Sequence, residues 1–149
     1  MTASSLETLR ILRRFAVTPD HVFDAWLDPE RIVEWIVGPR PQDEVLHVHV
    51  DARVGGRFSF LVRRDGQDID HVGDYLVVDR PRHLAFTFDA VLRPGGAPNP
   101  TPSVVHLDLV PDGGGTQLTL THEHVPAPYV DRTEAGWQAI LDAIQRAVE

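Results

Sequence analysis

The chain has no cysteine among its 149 residues. That absence excludes disulfide bonds, zinc fingers, thiol nucleophiles and every metal site that depends on thiolate ligands. It leaves the redox compartment undetermined, because a chain without thiols tolerates any redox potential.

Positive charge is also scarce and dispersed. Lysine is absent, the 14 basic residues are arginines scattered along the chain, and the formal net charge is −8. Proteins that bind nucleic acid neutralise its phosphates with clustered lysine and arginine. The sequence therefore predicts no nucleic-acid partner.

Long apolar runs are missing as well. No stretch has the roughly 20 apolar residues that cross a bilayer, and the N-terminus "MTASSLETLRILRRF" has no apolar run of signal-peptide length. We therefore expect a cytoplasmic protein without membrane insertion. The hydrophobic fraction of 42% is ordinary for a globular chain, and the length favours a single domain over residues 1–149.

The first forty residues predict one strand and two short helices. Residues 8–17 are rich in apolar and arginine side chains, as in a strand. The dipeptides at 18–19 and 28–29, "TP" and "DP", each place a good N-cap residue before a proline at the first helical position. Apolar residues follow at helical spacing, and the Gly-Pro pair at 38–39 ends the second predicted helix.

The middle of the chain alternates with the period of two that is typical of strands. Turns rich in glycine separate the apolar runs. The loop at 93–103, "RPGGAPNPTPS", is long and dense in proline and glycine, which suggests a lid or a variable surface. The pattern predicts six further strands at about 44–50, 57–63, 69–79, 83–90, 103–110 and 116–124.

The longest predicted helix covers residues 131–149, where Asp131 and Glu134 resemble a capping box. Strands joined by short turns pair antiparallel, and an apolar helix face needs a large apolar surface to pack against. The sequence therefore predicts an α+β fold in which a curved antiparallel sheet wraps around this helix, with two short helices between strands 1 and 2. The apolar face of the helix consists of Trp137, Ile140, Leu141, Ile144 and Val148.

Five segments, in order, resemble the motifs of a known family: "DPERIVEWIVGP", "VGGRFSF", "GDYLVVDRPRHLAFTF", "GGGTQLTLTHEH" and "AGWQAILDAI". Together they are similar to the START-like (SRPBCC) superfamily, and more narrowly to its activator of heat-shock protein 90 ATPase homologue-like, or Aha-type, branch. The resemblance covers nearly the whole chain and implies a helix-grip (START-like) fold with an apolar cavity between sheet and helix. It implies little about chemistry, because members bind lipids, hormones or polyketides, and some relatives are cyclases or hydrolases.

Two His-x-His pairs raise the question of a metal site. His122 shares the apolar face of its strand, and so does His124 if the strand extends that far. His47 and His49 lie opposite the apolar face of theirs, and His106 is also predicted to face outward. The pairs are not expected to converge, and the sequence predicts no metal and no cofactor.

A different pair of histidines is predicted to meet in the cavity. Asp70 and Asp74 share one face of their strand, which leaves His71 and Tyr75 on the inner face with His122 nearby. Three interpretations of these histidines stay open. They are hydrogen-bonded wall residues, groups that orient the polar end of a ligand, or groups that bind a metal or perform acid–base catalysis.

The favoured hypothesis is a binding module, not an enzyme, that encloses a lipid-like, polyketide-like or aromatic molecule. Apolar burial would drive binding at roughly 25 cal/mol per Å², and His71 and His122 would orient the polar end of the ligand. The apolar wall predicted for this site consists of Trp35, Phe60, Tyr75, Phe86, Leu120, Trp137, Ile140 and Leu141.

Two other hypotheses use the same fold. One is an enzyme of cyclase or hydrolase type with His122 or His71 as general base. The other is an interaction domain for a chaperone or regulator, which only the name of the family suggests. The predicted partner is an apolar small molecule, and a homodimer is compatible with the sequence although no stretch specifies its interface.

Overall fold

The computed structural model describes residues 5–37 and 40–149 and shows the predicted α+β fold. The predicted end of the second helix at 38–39 lies outside these residues. Within them the elements follow in the order β1 (Leu6–Phe15), α1 (Pro19–Ala25), α2 (Pro29–Ile36), β2 (Glu44–Val50), β3 (Arg57–Arg64), β4 (Gln67–Asp79), β5 (His83–Arg93), β6 (Ser103–Asp112), β7 (Gly115–Pro126), a 3₁₀ turn (Ala127–Tyr129) and α3 (Val130–Val148).

One antiparallel sheet contains all seven described strands, in the order β1-β7-β6-β5-β4-β3-β2. Strands β2 to β7 pair with their neighbours in sequence, as strands joined by short turns do. β1 pairs with β7, from Leu6 opposite Pro126 to Phe15 opposite Thr116. The pairing register shifts in β1, β2 and β4, and such bulges increase the local twist of a sheet. The predicted sheet that curves around a long C-terminal helix is confirmed.

The six later strands all form, and several are longer than predicted. β4 begins at Gln67, β5 ends at Arg93 and β7 continues to Pro126. The alternating apolar pattern fades at these ends, but the backbone stays paired there with a neighbouring strand: Gln67 with Arg64, Arg93 with Asp68 and Pro126 with Leu6. β1 starts and ends two residues earlier than predicted.

Proline begins both short helices, as predicted. The carboxylate of Asp28 accepts a hydrogen bond of 3.0 Å from the backbone N–H of Glu30 and caps α2. Thr18 holds the N-cap position of α1 but makes no side-chain capping bond.

The predicted capping box of α3 is wrong. Tyr129 holds the N-cap position without a side-chain capping bond, and Asp131 lies inside the first turn. The reason is the 3₁₀ turn, which runs directly into α3 and starts the helix at Val130. The Asp131 carboxylate therefore acts through the positive end of the helix dipole and not as a cap.

The core lies between the inner face of the sheet and α3. Leu107, Leu118 and Leu120 of the sheet belong to one buried cluster with Leu141 and Ile144 of α3. Within the described ranges, no helix combines the length and the hydropathy needed to span a membrane.

Candidate functional site

The N-terminal half of α3, the two short helices and the sheet enclose a cavity of about 1110 Å³. That volume slightly exceeds the roughly 300–1,000 Å³ of pockets that hold drug-sized ligands. The wall is mainly aromatic and aliphatic: Trp26, Trp35, Ile36, Phe58, Phe60, Tyr75, Leu84, Phe86, Phe88, Trp137 and Ile140.

The cavity opens at one end of the sheet. There β3, β5 and β7 end, and β4, β6 and α3 begin. Exposed residues of α3 and the preceding turn, among them Tyr129 and Arg132, line this mouth. Arg64 also lines it and is paired with the buried carboxylate of Asp43 at 2.9 Å. Arg132 has no ion-pair partner among the described residues, so a positive charge stands at the entrance.

The long loop between β5 and β6 closes one side of this mouth. Asn99 of the loop lines the cavity, and its backbone N–H donates a 2.8 Å hydrogen bond to the Asp89 carboxylate. The Asn99 side chain accepts from the backbone N–H of Thr101 at 3.0 Å. The loop, for which the sequence suggests a lid or a variable surface, is thus joined to β5 at Asp89 and places Asn99 at the mouth.

Most of the residues predicted for the site line this cavity. Leu120 and Leu141 do not, since both are 0% exposed and lie in the packed core. Alternation identified their face correctly but not their depth. Eight of the ten predicted residues line the cavity: Trp35, Phe60, His71, Tyr75, Phe86, His122, Trp137 and Ile140.

Several lining residues were not among the predicted site. Trp26, Phe58 and Phe88 follow the helical stripe and the strand alternation that the sequence already showed, so that signal was available. Ser103 and Arg132 carried no such signal, because their places depend on how β6 and α3 meet at the mouth.

His122 is the best-anchored polar group in the cavity wall. It is 5% exposed, and its Nδ1 accepts a 2.9 Å hydrogen bond from the indole Nε1–H of Trp137. An indole N–H can only donate, so Nδ1 carries no proton. Nε2 then donates to the Ser103 hydroxyl at 2.8 Å, and that hydroxyl donates to the backbone carbonyl of Phe88 at 3.0 Å.

Both ring nitrogens of His122 are therefore occupied by the protein itself. Burial lowers the pKa of His122 to about 4, because the charged imidazolium is poorly solvated there. At neutral pH the ring is uncharged, and its one lone pair belongs to Trp137. This arrangement weakens the hypothesis that His122 is a general base and fits the hypothesis of a hydrogen-bonded wall residue.

His71 is engaged on one side only. Its Nδ1 lies 3.1 Å from the backbone carbonyl of Phe60, and a carbonyl can only accept, so Nδ1 carries the proton. Burial lowers the pKa of His71, and the Arg64 charge lowers it further against the hydrogen bond to Phe60. Nε2 remains a lone-pair acceptor that makes no hydrogen bond with any described residue.

Tyr75 and Trp26 supply two further polar groups of the wall. Burial raises the pKa of Tyr75, which keeps its hydroxyl protonated. The Nε1–H of Trp26 is fully buried and has no acceptor among residues 5–37 and 40–149. By contrast, the Trp35 indole donates to the backbone carbonyl of Ala25 at 2.9 Å.

The remaining histidines lie away from the cavity or at its edge. The tilted rings of His47 and His49 lie 4.4 Å apart, centroid to centroid, on the outer face, where His47 contacts the Ser59 hydroxyl at 2.9 Å. His106 contacts Glu123 there, also at 2.9 Å. His124 lines the mouth but is exposed, with a positive φ of 65° that interrupts the alternation. In the part of the chain that the structure describes, no three histidine or acidic residues converge to hold a metal ion.

One family model matches this chain. The family is described as Activator of Hsp90 ATPase homologue 1-like protein, and the match covers residues 16–149. Among curated proteins, no significant match is found.

Solved structures resemble the chain over nearly its full length. Protein CV1439 from Chromobacterium violaceum is 27% identical with a TM-score of 0.79, covering 95% of this chain and 96% of its own. An AHSA1-like protein from Aeromonas hydrophila is 26% identical with a TM-score of 0.74, covering 94% and 92%. A putative uncharacterised protein from Rhizobium leguminosarum has a TM-score of 0.82 over 98% and 96% of the two chains, and its 20% identity shows a shared fold alone.

Proposed function

The chain belongs to the family of Activator of Hsp90 ATPase homologue 1-like proteins, and from that premise we propose that it is a binding module which encloses an apolar small molecule between its sheet and α3. The observation that carries the proposal is the aromatic cavity of about 1110 Å³. Protein interiors are packed as densely as organic crystals and contain few large voids. A cavity of this size therefore favours a site that a ligand fills.

The composition of the wall favours an apolar ligand. Rings of Trp35, Phe60, Phe86 and Trp137 line the space, and each 100 Å² of apolar ligand surface removed from water contributes about 2.5 kcal/mol. The few polar groups would set the orientation of the ligand rather than its affinity, as in most small-molecule sites.

An enzyme that uses the same cavity is the second candidate. The unengaged Nε2 of His71 is the observation that favours it, since a general base needs a free lone pair within reach of a proton. Incubation of the protein with a bound ligand, followed by mass spectrometry of the released ligand, separates the two candidates. An unchanged ligand mass supports the binding module, and a changed mass that depends on His71 supports the enzyme.

Native mass spectrometry of the freshly purified protein is the first test of binding. We expect an added organic mass that disappears when the protein is denatured. Titration with N-phenyl-1-naphthylamine, an uncharged apolar fluorophore, should then show saturable binding of one molecule per chain.

Gly136 offers a matched pair of variants for this titration. It lines the cavity, and an added Cβ would meet nothing within 4 Å. Gly136→Ala should leave fluorophore binding intact. Gly136→Phe should fill part of the entrance and raise the dissociation constant about tenfold, which corresponds to about 1.4 kcal/mol of binding free energy. Equal binding by both variants would show that the fluorophore sits elsewhere and would contradict the proposal.

A further inference from the structure

We propose that the ligand of this cavity carries a hydroxyl group, and that this hydroxyl donates a hydrogen bond to Nε2 of His71. The inference rests on the proposed binding function and narrows it to an apolar alcohol or phenol.

The first step is the fixed tautomer of His71. Its Nδ1–H is held by the Phe60 carbonyl at 3.1 Å, so a neutral ring has its lone pair on Nε2. The side chain lines the cavity. A polar acceptor in an apolar cavity is costly unless a donor reaches it.

The second step is that four donors of the wall are already committed. Trp137 donates to His122, His122 donates to Ser103, and Ser103 donates to the Phe88 carbonyl. Arg64, which also lines the cavity, donates its Nε–H to Asp43 at 2.9 Å. A ligand that fills the cavity takes the place of water at Nε2, and its own donor then completes the hydrogen bonding of His71.

The third step concerns the chemistry of that ligand. The Phe88 ring lies 6.1 Å from the His71 ring, centroid to centroid, and Phe60 of β3 lies directly opposite His71 of β4. The skeleton next to the donor therefore has to be apolar. An ionised carboxylate offers no proton and would face a lone pair. An ether or an ester can only accept. A hydroxyl on an apolar skeleton fits both conditions.

The test uses 2-naphthol and its methyl ether, 2-methoxynaphthalene, which share one ring system and differ in the O–H. Dissociation constants of both are measured for the wild type and for His71→Asn, whose amide N–H replaces Nδ1–H but leaves no acceptor at Nε2. We expect the substitution to weaken naphthol binding roughly two- to tenfold relative to ether binding, the range of a single hydrogen bond.

Two controls separate this role from a structural one. His71→Gln places an amide oxygen near the position of Nε2 and should restore part of the preference for naphthol. His49→Asn, on the exposed outer face, should change neither constant.

A spectroscopic measurement makes the test independent of whether the variants fold. In the ¹⁵N-labelled wild type, the Nε2 signal of His71 should shift when naphthol is added and stay in place when the ether is added. If both probes bind but neither the Nε2 signal nor His71→Asn distinguishes them, the hydroxyl inference is overturned and the binding module stands. If neither probe binds, both proposals lose their support.

Discussion

The indole N–H of Trp137 in α3 and Nδ1 of His122 in β7 lie 2.9 Å apart and form a hydrogen bond between the long helix and the sheet. Both residues line the cavity and both are buried. This bond therefore fixes the helix over the cavity at a point where the two layers are not in full contact.

Loss of the indole N–H of Trp137 should destabilise the protein. Trp137→Phe leaves the buried Nδ1 of His122 without a partner, which costs about 1–3 kcal/mol in addition to the packing lost with the indole. Urea denaturation measures the free energy of unfolding. In a double-mutant cycle with His122→Phe, we expect a coupling energy of at least about 0.5 kcal/mol. Additive effects of the two substitutions would mean that the bond contributes nothing.

Low pH should lower the free energy of unfolding through the protonation of His122. The pKa of His122 is about 4 in the folded protein and near 6.5 in an unfolded chain. Between these pH values the unfolded state binds more protons, so the contribution of His122 is complete above about pH 6.5 and is lost as the pH falls toward 4. The loss amounts to about 3 kcal/mol.

Unfolding free energies between pH 7.5 and 4 check this dependence. His122→Phe should flatten the curve but not abolish its slope, because burial also lowers the pKa of His71 in the folded state. A variant whose curve parallels that of the wild type would show that His122 titrates normally.

Two glycines should respond to alanine in opposite directions. A Cβ at Gly73 would lie 1.9 Å from the carbonyl oxygen of Thr87 and 2.4 Å from the Phe58 ring. Because the backbone oxygen cannot move freely, Gly73→Ala should destabilise the protein by about 1–3 kcal/mol or more. Gly136→Ala, in the open space of α3, should stabilise it by about 0.5–1 kcal/mol. Thermal denaturation measures the change in stability of each variant. A change in the same direction in both would contradict the packing described for Gly73.

The loop over the cavity mouth should depend on Asp89. The carboxylate accepts the backbone N–H of Asn99, and a hydrogen bond to a charged group is worth about 1.5–3 kcal/mol. Asp89→Ala should therefore speed amide hydrogen exchange at Asn99 at least roughly tenfold while the core strands keep their protection. Asp89→Asn retains an acceptor, so its exchange rate at Asn99 should fall between those of the wild type and the alanine variant. Unchanged exchange in the alanine variant would show that other contacts hold the loop.

Local sequence patterns predict much of the fold. The order of the elements, the proline that begins α2 after Asp28, and the shared inner face of Leu118, Leu120 and His122 all follow from propensity and periodicity, which act over a few residues. The capping box at Asp131 failed for a related reason, since the 3₁₀ turn before α3 depends on how the chain leaves β7.

The depth of each residue is not a local property. Leu120 and His122 are two positions apart on one strand face, yet Leu120 is sealed in the core and His122 borders the cavity. That difference arises because α3 packs against the sheet at one end and stands away from it at the other.

The sequence by itself determined the fold class, the apolar inner face and the candidate histidines, because alternation and helical spacing are carried by neighbouring residues. Only the tertiary structure decided what each histidine does. It brings Trp137 and Ser103 to the two nitrogens of His122. Among the residues that the structure describes, it gives His71 a single hydrogen-bond partner, the Phe60 carbonyl. Hydrogen bonds between residues distant in sequence form only when the sheet has closed around the helix, and no local pattern specifies them.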